Sequence, residues 1–217
     1  DLHSFPTRRS SDLQEALTVA IRVHGDRSPR VLETTSNLAQ AYDMAGDAPK
    51  SLELLHESLR IAESLTGVPR LTLIGLNNNI GATYQGMNRD LEAAPYLRRA
   101  SELAAEWFRP ENPDRWILQG NLASLEAELG NSERGVELYD EVIENMSRIM
   151  GPDSRLVMSA RHMRANALWI GRKFDEAADG FTTLLPDITQ ALGSDNWMTI
   201  QTRSSLARVL FDAGKPN

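Results

Sequence analysis

The ten residues 37–46, Asn-Leu-Ala-Gln-Ala-Tyr-Asp-Met-Ala-Gly, contain a short pattern that recurs along the chain. Its first three residues return as Asn79-Ile80-Gly81 and again as Asn121-Leu122-Ala123, at a constant spacing of 42 residues. A fixed period of this length is the sequence signature of a repeat architecture, in which each unit buries its apolar face against the next one. The spacing therefore predicts a chain built from 42-residue repeats.

Two series of turn residues keep the same register. Glycine and asparagine readily adopt the left-handed backbone conformation that ends a helix, and the apolar residues between these markers fall at helical spacing. Each repeat is therefore predicted to contain a helix A, a tight turn, a helix B and a second turn, which carries the N-cap of the next helix A. The first series is Gly25, Gly67, Arg109, Gly151 and Gly193, the second is Gly46, Asn88, Gly130, Gly171 and Gly214, and the caps are Ser28, Asn112, Ser154 and Asn196, with Arg70 in place of one cap.

The predicted fold class is all-α, an α-solenoid of antiparallel helix hairpins with ten helices. The fourth repeat departs from the pattern, because His162-Met163-Arg164 stands where Asn-Leu-Ala belongs and Arg164 then occupies a small-residue position. This substitution predicts looser packing in that repeat. The expected divisions are a half-repeat at 14–25, full repeats at 26–67, 68–109, 110–151 and 152–193, and a partial repeat at 194–217.

Residues 1–13 are excluded from the repeats. They are polar and lack hydrophobic periodicity, which predicts a disordered segment. The string His-Ser-Phe-Pro-Thr-Arg-Arg-Ser-Ser-Asp-Leu, residues 3–13, also resembles a reading-frame translation of a sequencing-library adapter. We therefore expect residues 1–13 to be a non-native leader.

Composition excludes several classes of function. The chain has 41% hydrophobic and 24% charged residues, a net charge of −7 and no cysteine. An acidic chain without a basic run is a poor partner for nucleic acid or an anionic membrane, and the absence of cysteine excludes thiolate metal sites and disulfides. His24, His56 and His162 lack the spacing of a metal site. We expect a cytoplasmic protein that is not an enzyme and has no cofactor.

The pattern Asn-Leu-Ala-x-x-Tyr-x-x-x-Gly at 37–46 resembles the tetratricopeptide superfamily, in the 42-residue form of kinesin light chains and many bacterial proteins. Residues 91–100, Leu-Glu-Ala-Ala-Pro-Tyr-Leu-Arg-Arg-Ala, are similar to the helix B of that family. The resemblance implies a right-handed superhelix with a concave groove that is lined by the A helices and binds a peptide. It also implies that the asparagine before Leu-Ala contacts the backbone of the ligand.

This resemblance gives the candidate groove residues. An amide side chain can donate and accept hydrogen bonds at once, so it suits a main-chain ligand. The alternative is that these asparagines bond the adjacent helix and brace the stack. The candidates are Asn37, Asn79 and Asn121, with Ser36, Gln40, Asn78, Gln85, Ser124 and Arg161 as neighbouring groove positions.

The predicted function is a protein–protein interaction scaffold that binds a protein or peptide partner, with neither nucleic acid nor membrane as a ligand. One alternative is that the chain is the repeat region of a larger bacterial serine/threonine kinase or transcriptional regulator, whose activity lies outside these residues. The last helix A has no helix B to cover its apolar residues, which predicts self-association through this end. These residues are Ile200, Leu206, Ala207, Leu210 and Phe211.

Overall fold

A computed structural model describes the backbone of residues 4–214 and the side chains of residues 11–214. This part of the chain contains ten α-helices and no strand, as predicted, and the all-α solenoid fold class is confirmed. The helices are α1 (Ser4–His24), α2 (Pro29–Met44), α3 (Ala48–Ser64), α4 (Arg70–Gly86), α5 (Asp90–Trp107), α6 (Pro113–Glu128), α7 (Ser132–Met150), α8 (Arg155–Ile170), α9 (Phe174–Leu192) and α10 (Trp197–Asp212).

The chain divides into two compact units, Asp1–Trp107 and Phe108–Asn217. Unit 1 contains α1 to α5 and unit 2 contains α6 to α10, and within each unit every helix packs against the next one along the chain. In the register of the repeats, α2, α4, α6, α8 and α10 are A helices, whereas α1, α3, α5, α7 and α9 are B helices.

Each unit has its own apolar core. In unit 1, Leu55 and Ile61 of α3 pack with Leu76 and Ile80 of α4. In unit 2, Trp116 of α6 belongs to a cluster with residues of α7 and α8, and Phe181 of α9 packs with residues of α8 and α10. Burying one such large side chain contributes about 2 kcal/mol, so stacking of the hairpins is the main source of stability in each unit.

The turns before the A helices carry the predicted caps. The Ser28 hydroxyl accepts a hydrogen bond from the N–H of Val31, and Ser154 does the same for Val157. Asn112 and Asn196 each cap the N–H two residues on. The helix α4 begins at Arg70 after Pro69. No side chain accepts a hydrogen bond from the first N–H groups of this helix, as expected for the one repeat without a capping residue.

The tight turn of the fourth repeat differs from the prediction. Gly171 has an ordinary φ of −72°, and the left-handed position is taken by Arg172 with φ +60°. Gly171 is small for another reason, because a Cβ there would overlap the Ser132 side chain. The left-handed residues of this series are therefore 46, 88, 130, 172 and 214, so every step of the series equals the repeat period.

The first turn series holds at four of its five positions. Gly25, Gly67, Gly151 and Gly193 all have positive φ, whereas Arg109 does not. There α5 ends at Trp107, and the N–H of Asn112 bonds the carbonyl of Arg109 at 3.0 Å. The turn at Arg109 therefore closes without a left-handed residue.

The small-residue position of the fourth repeat is Ala165, one residue later than the sequence pattern suggested. Ala165 is buried, and a Cβ added to Gly180 of α9 would lie 3.2 Å from its Cβ. The neighbouring Arg164 points away and bonds Asp140 of α7, with Nε 2.6 Å from Oδ1. The looser packing predicted from Arg164 is therefore wrong, and Met163 occupies the position of Asn79 and Asn121.

The predicted leader is partly helical. Residues 1–3 lie outside the described residues, and that residues 1–13 are a non-native leader stays a prediction. The backbone of residues 4–13 is helical, because α1 begins at Ser4. The physical reason is that they extend a helix already anchored through Leu17 and Ala20. Pro6 lies in the first turn of this helix, where its missing N–H costs no hydrogen bond.

Candidate peptide-binding clefts

Unit 1 has a cleft between α2, α3 and α4, with a volume of about 350 Å³. Its polar wall contains Gln40 and Asp43 of α2 together with Asn79 and Thr83 of α4, and Leu55 of α3 forms part of the floor. The helices hold these side chains at spacings of three and four residues, which places them on one face. The cleft therefore offers amide, hydroxyl and carboxylate groups to a ligand.

Unit 2 has the equivalent cleft between α6, α7 and α8, with a volume of about 480 Å³. Ser124, Tyr139 and Met163 line it at the positions of Gln40, Leu55 and Asn79, each two repeat periods further along the chain. Helix α10 extends the wall of this cleft with Gln201, Ser205 and Arg208. The same backbone site thus occurs once in each unit, two repeats apart.

The two clefts differ in chemistry. Asn79 of unit 1 is replaced by Met163 in unit 2, and Asp43 is replaced by Ala127. Ile170 and Trp169 add further apolar surface to the unit 2 cleft. The unit 2 cleft therefore combines apolar side chains with the polar Gln201, Ser205 and Arg208, whereas the amide and carboxylate of the unit 1 cleft are lost at these two positions.

Trp169 lies at the edge of the unit 2 cleft and is held from two sides. Its indole N–H donates to Asp212 Oδ2 at 2.7 Å, and the Arg208 guanidinium carbon lies 5.5 Å from its ring centroid. Trp169 was not among the residues predicted from the sequence to line a groove. The signal was available, because Trp169 follows the candidate Gln85 by two whole repeat periods.

Ser124 and Tyr139 join α6 to α7 in the wall of the unit 2 cleft. Their hydroxyl oxygens lie 2.5 Å apart, and burial raises the pKa of Tyr139 to about 12. Ser124 was predicted as a groove residue, and it does line the cleft. Its hydroxyl is engaged with Tyr139, so it also fixes the position of the cleft wall.

The asparagines predicted to contact the ligand have different surroundings. Asn37 and Asn79 are exposed, and no hydrogen bond to either side-chain amide is found within residues 11–214. Asn79 lines the unit 1 cleft. Asn121 is half-buried and lines a smaller hollow of about 200 Å³ beside Trp116, and Asn121 and Asn78 both have partners within the chain.

The remaining candidates divide between the cleft and the scaffold. Ser36 and Gln40 line the unit 1 cleft, although the Ser36 hydroxyl donates to the Leu32 carbonyl of its own helix at 2.8 Å. Gln85 is half-buried and does not line that cleft. Arg161 pairs with Asp187 of α9 at 2.7 Å, so it ties its hairpin together.

His56 and His162 have local partners. His56 Nε2 lies 3.0 Å from the hydroxyl of Tyr84, a contact that Gln14 and Tyr42 repeat one period earlier. His162 is buried against Thr202. Within the described residues no group of three histidine or acidic side chains could hold a metal ion.

Comparison with known proteins agrees with the helical-repeat fold. Residues 11–64 match a family model described as tetratricopeptide repeat, and no curated protein matches the chain. BtubC (BKLC) from P. vanneervenii is similar with a TM-score of 0.75 and 24% identity, over 97% of this chain and 85% of that one. A putative kinesin light chain from Podosopora anserina with nearly identical TPR-like repeats has a TM-score of 0.73 and 20% identity, over 88% and 94% of the two chains.

A more distant likeness is to a Rap protein complexed with competence and sporulation factor. Its TM-score is 0.58 and its identity 14%, over 95% of this chain and 59% of that one. The fold and the paired clefts thus define a helical-repeat protein. Residues 11–64 match the tetratricopeptide repeat model, and the fold of the chain is similar to that of TPR-like repeat proteins such as the putative kinesin light chain. None of the helices in the described part of the chain is long and apolar enough to cross a membrane.

Proposed function

We propose that this chain is an interaction scaffold that binds a segment of a partner protein in the clefts between its A helices. The observation that carries the proposal is the recurrence of the cleft at equivalent positions in both units. Because the cleft recurs with its lining changed from Asn79 to Met163, each unit offers a partner a cleft of its own chemistry. The proposal holds equally if the repeats belong to a larger kinase or transcriptional regulator, because each cleft is complete within its own unit.

The unit 1 cleft is proposed to hold polar main chain. The amides of Gln40 and Asn79 project from α2 and α4 into one cleft, and Asn79 is exposed. Each amide can donate to a peptide carbonyl and accept from a peptide N–H. The exposure of Asn79 supports ligand contact over the alternative of bracing the stack.

The unit 2 cleft is proposed to hold an apolar side chain of the partner. Met163 and Ile170 supply the contact surface, and Trp169 supplies an aromatic edge. Methionine adapts its shape to different ligands, and aromatic residues contribute strongly to binding energy. The Rap protein complexed with competence and sporulation factor supports this proposal by analogy of fold.

The proposal is tested by selecting peptides from a displayed library on the whole chain and measuring their affinity by calorimetry. Asn79→Ala should weaken a selected peptide about fivefold, which corresponds to one hydrogen bond of about 1 kcal/mol. Met163→Asp should weaken it more, because the shorter, charged side chain loses the apolar contact of the methionine and must lose water when the ligand binds. Gln190→Ala, an exposed amide on α9 outside both clefts, is the matched control.

The melting temperature separates binding from bracing. If Asn79→Ala lowers the melting temperature and leaves peptide affinity intact, the asparagine braces the stack and the proposal for unit 1 is wrong. If selected peptides tolerate both cleft variants, the binding surface lies elsewhere on the chain.

A further inference from the structure

The unit 1 cleft carries a carboxylate that no other described residue pairs with. Asp43 of α2 lines the cleft and is exposed, and no hydrogen bond or ion pair to its side chain is found within residues 11–214. Lys50 of α3 pairs instead with Asp47 at 3.5 Å and lies over the Tyr42 ring. Among the described residues that line the cleft, none is basic. The cleft therefore offers an uncompensated negative charge to a ligand.

Two hydroxyl groups of the cleft can accept hydrogen bonds from a ligand but have no proton left to donate. The Ser36 hydroxyl donates to the Leu32 carbonyl at 2.8 Å, and the Thr83 hydroxyl donates to the Asn79 carbonyl at 2.8 Å. Because a hydroxyl has one proton and two lone pairs, each oxygen remains an acceptor. Together with the carboxylate of Asp43, these oxygens favour a ligand group that is rich in hydrogen-bond donors.

The floor of the cleft contains one further polar atom. Ser51 of α3 lines the cleft and is 1% exposed, and its hydroxyl has no hydrogen-bond partner in the part of the chain that the structure describes. The equivalent residues of α5, α7 and α9 are Ala93, Gly135 and Ala177, all of which are buried. Packing at this position therefore does not require a hydroxyl, and the serine makes the floor of this cleft more polar than its equivalents.

An internal contact of unit 2 shows how an arginine fits the equivalent space. The Arg208 guanidinium of α10 lies over the Trp169 ring of α8, with 5.5 Å between its carbon and the ring centroid, and Asp212 accepts the indole N–H. The residues three repeat periods earlier are Asp43 for Trp169, Ala82 for Arg208 and Gly86 for Asp212. All three line the unit 1 cleft. The space that long side chains fill between α8 and α10 is therefore left open between α2 and α4, beside a carboxylate.

We infer that the unit 1 cleft binds an arginine side chain of the partner. The guanidinium pairs with the Asp43 carboxylate, donates to the Thr83 hydroxyl and lies beside Ala82 and Gly86. Arginine is favoured over lysine because its planar fork carries five N–H donors and matches a carboxylate with two parallel hydrogen bonds. The net charge of −7 also attracts a basic segment. This inference rests on the proposed function and names the side chain that the unit 1 cleft recognises.

A double-mutant cycle between the chain and a peptide tests the inference. The probes are peptides selected on the whole chain whose binding is weakened by Asn79→Ala. Each is synthesised with its arginine and with citrulline, which has nearly the same shape but no charge. Citrulline should weaken binding to the parent chain about tenfold and binding to Asp43→Asn about twofold or less, as measured by calorimetry. Added salt should weaken the arginine peptide severalfold on the parent chain and much less on Asp43→Asn.

The matched control is Glu53→Gln, which neutralises an exposed carboxylate of α3 that does not line the cleft. It should keep the tenfold difference between the arginine and citrulline peptides. Circular dichroism should show the same helix content for Asp43→Asn and Glu53→Gln as for the parent chain, since both substituted side chains are exposed.

A variant that fills the space gives an independent readout. Ala82→Arg places an arginine at the position that Arg208 has in unit 2, so its guanidinium should occupy the site beside Asp43. Binding of the arginine peptide should then fall about tenfold. Ala82→Gln is the control, because its shorter, neutral side chain competes less for the carboxylate and should weaken binding less.

Two results overturn the inference while the proposed function stands. One is that the selected peptides lack arginine, and the other is that citrulline weakens binding to Asp43→Asn as much as binding to the parent chain. If no selected peptide is weakened by Asn79→Ala, the unit 1 cleft does not bind the partner, and both the inference and the proposed function of this cleft are wrong.

Discussion

His162 and Thr202 are joined by a hydrogen bond of 3.0 Å between Nδ1 of the imidazole and Oγ1 of the hydroxyl. Because the Thr202 hydroxyl donates its proton to the Met198 carbonyl at 2.8 Å, it can only accept from the ring. Nδ1 therefore carries the proton, and Nε2 is left buried without a hydrogen-bond partner among the described residues. Protonation of Nε2 would add a buried donor with nothing to bond.

This arrangement predicts that acid destabilises unit 2. Burial lowers the pKa of His162 below its ordinary value of 6.5, so the unfolded chain takes up a proton at a higher pH than the folded chain. The stability contributed by neutral His162 is present above pH 6.5 and is lost as the pH falls through the folded pKa. The melting temperature should therefore fall as the pH is lowered from 7 to 5.

The control for this prediction is His162→Leu, which should flatten the acid dependence, although it also removes the bond to Thr202. Burial lowers the pKa of His56 as well. The variant His56→Gln therefore shows how much of the acid destabilisation comes from unit 1. An acid dependence that is the same in His162→Leu and in the parent chain would contradict the prediction.

Ionisation of the buried Tyr139 should destabilise the protein at alkaline pH. Burial raises its pKa from 10.0 to about 12, so its contribution is fully present below pH 10 and is lost as the pH rises toward 12. The shift corresponds to about 3 kcal/mol. Tyr139→Phe should reduce the alkaline dependence, as measured by chemical denaturation at pH 9 and pH 11, while costing about 1 kcal/mol at pH 7 through the lost bond to Ser124. The assignment would be contradicted if the free energy of unfolding of Tyr139→Phe fell between pH 9 and pH 11 as much as that of the parent chain.

The left-handed backbone at Arg172 predicts that a glycine at this position stabilises the protein. A residue with a Cβ is strained at φ +60°, whereas glycine is not, so Arg172→Gly should stabilise the protein by about 1 kcal/mol. Arg172→Ala is the matched control, because it removes the same side chain and its contact with the Phe174 ring but keeps the strained Cβ. Thermal denaturation should rank the glycine variant above the alanine variant.

Two glycines of α4 predict opposite effects of the same change. Gly75 has open space around its missing Cβ, whereas Gly81 lies against Leu97. Gly75→Ala should stabilise the protein by up to about 1 kcal/mol through helix propensity, and Gly81→Ala should destabilise it by about 1–3 kcal/mol through overpacking. Equal effects in urea denaturation would show that the α4–α5 crossing is less close than described.

The predicted leader has its own test. Deletion of residues 1–13 should leave the melting temperature unchanged within about 2 °C, because Leu13 is the one described side chain among them that is even half-buried. Deletion of residues 1–24 is the control, since it removes Leu17 and Ala20 from the core of unit 1. A fall of several degrees in the shorter deletion would mean that residues 1–13 dock on the repeats.

The fold was predictable because its signals are local. The spacing of Asn37, Asn79 and Asn121 gives the period, and caps such as Ser28 and Ser154 act on N–H groups within three residues. The errors arose where two causes select the same residue type. Gly171 is small because it contacts Ser132, yet it was assigned to the left-handed position beside it.

The clefts were less predictable, because their lining depends on contacts between repeats. Residues Asn79 and Met163 are equivalent when the repeats are aligned at their 42-residue period. The sequence prediction aligned His162 with the asparagine instead, one residue too early, and so missed this equivalence. The sequence pattern also could not predict that Ser124 and Arg161 bond the next helix. Their partners, Tyr139 and Asp187, are 15 and 26 residues away on the next helix.

The constant spacing of the left-handed turn residues has a consequence for how such a chain can change in length. Residues 46, 88, 130, 172 and 214 occupy one backbone conformation, so excising the segment 131–172 would join two turns that are already alike. Such a deletion shortens the array by one hairpin and keeps every remaining helix in phase, whereas a deletion slightly shorter than one period would rotate the following A helix away from its core. Gene duplication and deletion can therefore add or remove clefts between these helices only in whole periods.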